Sequence, residues 1–118
     1  MTLRTFTTAC AQGDVHFTRV AKLPKGMIEA KPKNGRVVVA HSETGHNHEG
    51  NAQHFTMYED PQNPLRCFLL VPELSGEAAV IVHKRPFDTH DPIAFSGGVY
   101  EVRRQREYVP EGFRRVED

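Results

Sequence analysis

Cys67-Phe68-Leu69-Leu70-Val71, then Pro72-Glu73-Leu74-Ser75-Gly76, then Ala78-Ala79-Val80-Ile81-Val82-His83 is the stretch that decides the fold. Two short apolar runs flank a segment rich in turn formers. Neither run has a polar face, so both are read as strands covered on two sides. Pro72 to Gly76 is expected to turn the first run back onto the second.

The same punctuation extends in both directions. Nine glycines and eight prolines separate runs too short for helices, and apolar spacing at i, i+3, i+4 is nearly absent. Toward the N-terminus, Val15 and Phe17 alternate with Asp14, His16 and Thr18, predicting a half-buried strand over Gly13 to Val20. Leu23 to Gly26 reads as a turn and Met27 to Ala30 as a short strand. Asn34-Gly35 supplies the positive φ that a tight hairpin favours. Arg36 to Glu43 is the next strand, with His54 to Glu59 expected to return from it. Toward the C-terminus, Arg85 to Ser96 is read as irregular. Val99 to Val109 is the longest strand, and Phe113 to Val116 a short final one after the turn Pro110-Glu111-Gly112. Strands at this spacing predict an all-β fold, a single small barrel or roll with little or no helix. Residues 1–118 are read as one domain, with residues 1–11 a flexible or edge-strand N-terminus.

Composition narrows the function classes. Lys plus Arg and Asp plus Glu number 15 each, so net charge is zero, and nucleic acid is not the expected partner. Cys10 and Cys67 form no C-x-x-C pair or zinc-finger spacing, and Cys67 is expected to be a small buried hydrophobe. Met1 to Cys10 carries no apolar signal core, and no segment reaches the roughly 20 apolar residues of a membrane span. A cytoplasmic protein with no membrane partner is expected.

The chemistry concentrates in His41-Ser42-Glu43-Thr44-Gly45-His46-Asn47-His48, where three imidazoles and a carboxylate fall within eight residues. Neutral imidazole binds zinc, copper, iron and nickel well. The candidate ligands are His46, His48 and His90, with Glu43, His41 and His83 in reserve. They are expected to meet at a barrel mouth, with zinc, iron or nickel as cofactor. An exposed Gly-Asn-His turn is the alternative reading of the same residues. Catalysis without metal would pair Glu43 with His46, but no nucleophile elbow or orienting triad accompanies them. His16 and His54 are read as exposed strand residues. No reaction is assigned.

One face of the long strand carries Tyr100, Val102, Arg104, Arg106 and Tyr108; the other carries Glu101, Arg103, Gln105 and Glu107. Arg104 and Arg106 between two tyrosines are candidates for contact with a ligand or partner, including nucleic acid through interleaved aromatics. A structural ion-pair ladder is the favoured reading, because residues 101–117 hold five arginines but also Glu101, Glu107, Glu111 and Glu117. A non-enzymatic interaction module or homo-oligomer subunit competes with the metal reading on this strand's edge.

Three ordered boxes carry a resemblance. Gln12-Gly13-Asp14-Val15, Glu43-Thr44-Gly45-His46-Asn47-His48, and His90-Asp91-Pro92-Ile93 through Tyr100 to Tyr108 together resemble a group of small uncharacterised proteins of bacteria and phage-like elements. That resemblance covers Gln12 to Asp118 and implies no activity. Gly35 followed by five residues and His41 is also similar to the opening of the first cupin motif. The pattern departs at Glu43, no correctly spaced glycine precedes His46, and the second cupin motif is missing. The cupin likeness therefore implies a barrel and no cupin chemistry.

Overall fold

A computed structural model of the chain describes residues 4–40, 47–73, 79–83 and 92–104, and of residues 4 and 83 the backbone alone. The described elements are β1 (Arg4–Thr5), β2 (Ala9–Gln12), β3 (Val15–Val20), β4 (Ile28–Ala30), β5 (Arg36–Ala40), β6 (His48–Asn51), β7 (Thr56–Glu59), β8 (Arg66–Val71), β9 (Ala79–His83), β10 (Ile93–Phe95) and β11 (Gly98–Arg104). The fold is all-β, with no helix among the described residues. It follows that no helix there is long and apolar enough to cross a membrane. The strands called for over Phe113 to Val116 and beyond Arg104 lie outside the described residues.

Two sheets form. One runs β1-β10-β9-β6-β5 and the other β2-β3-β11-β8-β7-β4. Neighbours are antiparallel except β1 and β10, which run parallel. No ladder among the described residues joins one sheet to the other, so the strands make a roll or sandwich and not a closed barrel. One core lies between the sheets, drawing Val15 and Phe17 from β3, Leu69 and Val71 from β8, Val37 and Val39 from β5, and Ile81 from β9. Period-2 alternation aims these residues inward. Phe95 of β10 is the centre of the aromatic packing. Its ring meets Phe17 at 5.1 Å, Phe6 at 5.2 Å, Phe55 at 5.5 Å and Tyr100 at 4.9 Å, all edge to face.

The turn at Asn34-Gly35 forms as the dipeptide predicts. Asn34 takes φ 53° and Gly35 φ 75°, while Lys33 and Arg36 exchange two backbone hydrogen bonds of 2.9 Å.

Three expectations are corrected. First, β5, described over Arg36–Ala40, is answered by β6, not by residues 54–59; β7 belongs to the other sheet. His48-Glu49-Gly50-Asn51 looks like a turn because it lacks β-branched residues. Ladders with β5 on one side and β9 on the other hold it extended. Gly50 is needed there: a Cβ would lie 2.7 Å from Phe55 Cε2 and 2.9 Å from Ile81 Cδ1. Second, β8 and β9 are not neighbours, because β8 pairs with β7 and β11 and β9 with β6 and β10. An apolar run reports burial and not its partner. Third, β10 occupies part of the segment read as irregular. At the N-terminal end, β1 and β2 each stand at a sheet edge.

Candidate functional site

The sheet topology brings His48 and His83 together at one end of the five-stranded sheet. Register pairs Ala40 of β5 with His48 of β6, and His48 with His83 of β9. Ile93, which opens β10, lies opposite Ile81. Because these four strands are antiparallel neighbours, the exit of β5, the entry of β6, the exit of β9 and the entry of β10 share that end. In the chain, His41 follows Ala40, His46 precedes His48 by two, and His90 precedes Ile93 by three. His41, Glu43, His46 and His90 themselves lie outside the described residues, as do Arg106 and Tyr108. Of His83 the structure gives the register. Among the described residues no group of three or more His, Cys, Asp or Glu stands close enough to hold a metal ion.

His48 is 6% exposed and points into the core, which is uncommon for a histidine at a strand start. Its Nδ1 lies 2.8 Å from Gln12 Oε1. Gln12 is fully buried, and its Nε2 donates to the Ile81 carbonyl at 3.2 Å. Gln12 sits in β2, so its amide spans the core from one sheet to two strands of the other. Burial without such partners would cost several kcal/mol (roughly 2–7) per amide. In the sequence, Gln12 stands in the box Gln12-Gly13-Asp14-Val15 with no chemistry of its own to mark it. The signal was its place beside Val15: the two residues are cross-strand partners around Gly13-Asp14 and share the inward face.

Arg104 is the other polar residue at the core, 9% exposed. Its Nη1 donates to the Val39 carbonyl at 3.1 Å, and its Nη2 donates to the Pro64 carbonyl. The ladder between β5 and β6 shifts register between Val38 and Ala40. Val39 is thus the extra residue of a bulge, and its carbonyl is the one that accepts from Arg104. Arg104 supplies a charged donor at that point. Tyr100, on the same face of β11, is fully buried; its hydroxyl donates to the Ser96 carbonyl at 2.8 Å and accepts from Arg19 Nη1 at 2.8 Å. Arg19 Nη2 also donates to the Gly97 carbonyl at 2.7 Å.

On the opposite face of β11 from Arg104, ion pairs gather around Glu101; Arg106 lies outside the described residues. Arg66 reaches Asp60 at 2.9 Å and Glu101 at 3.2 Å, and Arg103 meets Glu101 at 3.4 Å. Arg66 and Arg103 oppose each other in register, so Glu101 relieves a like-charge pair. The Gln62 backbone N–H, with Arg66 beside it, holds the Asp60 carboxyl below its ordinary value of 3.8. Asp60 and Glu101 in turn raise the Arg66 guanidinium. His16 is exposed and His54 half-buried. Cys10 is half-buried and Cys67 buried.

The molecule is therefore a two-sheet β domain with buried polar links, Gln12–His48 and Arg104, tying the sheets together across the core. Its family follows from comparison: residues 11–105 match the model described as Domain of unknown function (DUF8820), and the chain belongs to that family. The matched region contains Gln12, His48 and Arg104. No curated protein and no solved structure matches the chain.

Proposed function

We propose that this protein is a small metal-binding β domain in which His48 and its neighbours hold a transition ion at one end of the five-stranded sheet. His46, His48 and His90 are the ligands put forward, with His83, His41 and Glu43 as further donors. The carrying observation is His48: a buried imidazole, hydrogen-bonded through Nδ1 to Gln12, with His83 directly across the ladder. A histidine whose Nδ1 is engaged by an amide or carbonyl oxygen is the arrangement that metal-binding histidines adopt. The chemistry of the donors favours zinc, iron or nickel over calcium or magnesium, which take oxygen ligands. Elemental analysis of protein purified without a histidine tag tests the reading. It is expected to show stoichiometric transition metal, lost on joint His46→Ala and His48→Ala substitution. Metal content indifferent to that pair of substitutions would remove the proposal.

A second reading is an interaction or oligomer-forming module. The observation that favours it is β4, an edge strand of the six-stranded sheet whose Ile28 is 58% exposed. Open edges accept further strands. Size-exclusion chromatography with and without chelator separates the readings: association that ignores chelator and disappears with Ile28→Lys supports the module.

A further inference from the structure

We propose that Gln12 is a positioning residue that fixes His48 as an Nε2 ligand for a transition-metal ion; this rests on the metal reading above.

The argument begins with the amide. A carboxamide has one end that donates and one that accepts. The Ile81 carbonyl can only accept, so the amide nitrogen of Gln12 must face it, at 3.2 Å. The carboxamide oxygen is then left facing His48 Nδ1 at 2.8 Å. That oxygen can only accept, so Nδ1 must carry a hydrogen. A neutral imidazole with Nδ1–H has its lone pair on Nε2. The tautomer of His48 is thus set by a carbonyl on β9, relayed through one glutamine side chain.

The relay is also rigid. Gln12 is fully buried and His48 is 6% exposed, so neither contact competes with bulk water. Ile81 stands two residues before His83, the register partner of His48, on the same strand. The amide therefore ties the His48 ring to the strand that carries another candidate donor. Gly50, opposite Ile81, adds no side chain at that level of the sheet. A ring held in one tautomer and one orientation loses little freedom on coordination, which is how residues behind a ligand raise metal affinity.

The test uses the full chain without a tag. Two-bond ¹H–¹⁵N correlation spectra of metal-free protein at pH 8, with His48→Asn to assign the ring, report the tautomer directly. Nδ1–H is expected in the wild type. Gln12→Leu is expected to release the preference. Zinc titrations run in parallel should show binding weakened about 10–100-fold in Gln12→Leu. An Nε2–H tautomer in the metal-free wild type overturns the positioning role, whatever zinc does. Equal zinc affinity in wild type and Gln12→Leu overturns it as well. Should Gln12→Leu fail to fold, the wild-type tautomer still decides. An Nδ1–H ring in a wild type that takes up no zinc refutes the metal reading instead, and the ligand role of Nε2 with it.

Discussion

Replacing Arg104 should cost stability, because the guanidinium completes the backbone bonding of a bulge inside the core. Arg104→Met keeps much of the stem and removes donors to the Val39 and Pro64 carbonyls. Each hydrogen bond from a charged donor contributes about 1.5–3 kcal/mol. Two of them give a gross loss of about 3–6 kcal/mol, offset in part because the variant no longer buries a guanidinium. The net expectation is a loss of about 2–4 kcal/mol, since a buried carbonyl at Val39 is left without its donor. Arg104→Lys keeps the charge but has one compact ammonium for two carbonyls, so its loss should fall between wild type and Met. Urea unfolding followed by circular dichroism reads the effect. With a slope of about 1–3 kcal/mol per molar for a small domain, Arg104→Met should lower the midpoint by about 1–2 M at unchanged slope. A midpoint within about 0.3 M of wild type would refute the reasoning and return Arg104 to the pool of residues available to a partner.

Other expectations follow from the packing and the charges. Phe95→Ala removes the ring that four aromatic neighbours pack against and should destabilise by about 3–5 kcal/mol in the same assay; a loss below 1 kcal/mol would mean that the cluster is not the core's centre. Gly50→Ala puts a methyl 2.7 Å from Phe55 Cε2 and should cost about 1–3 kcal/mol, partly restored by Phe55→Leu. Asp60 has its carboxyl lowered from 3.8 in the folded state, so its contribution is present above that value and is lost as pH falls through the lower folded one. Wild type should therefore lose more stability than Asp60→Asn on acidification below about pH 4, and parallel curves would contradict this.

Legibility in the sequence follows how local each signal is. Val15 and Phe17 are set by alternation alone, and the hairpin at Lys33 to Arg36 by Asn34-Gly35. The strand β6 was not legible, because its four residues are held extended by ladders formed with segments distant in the chain. The pairing of β8 and β9 with different sheets was hidden for the same reason: their apolar runs are equivalent in composition. Tyr100, Val102 and Arg104 were correctly grouped on one face by period 2. What Arg104 bonds was not visible, since nothing in Arg36 to Ala40 announces a bulge at Val39. At the candidate site, the density of imidazoles drew attention to His48. Gln12 escaped because a neutral amide has no signature, and its role arises from a contact 36 residues along the chain.

The most direct measurement of the central claim is a calorimetric titration of zinc into metal-free, untagged protein, with His48→Ala alongside. The proposal predicts a saturable isotherm near one zinc per chain for the wild type and its loss in the variant. Superimposable isotherms for the two proteins, or no heat from either, would contradict it.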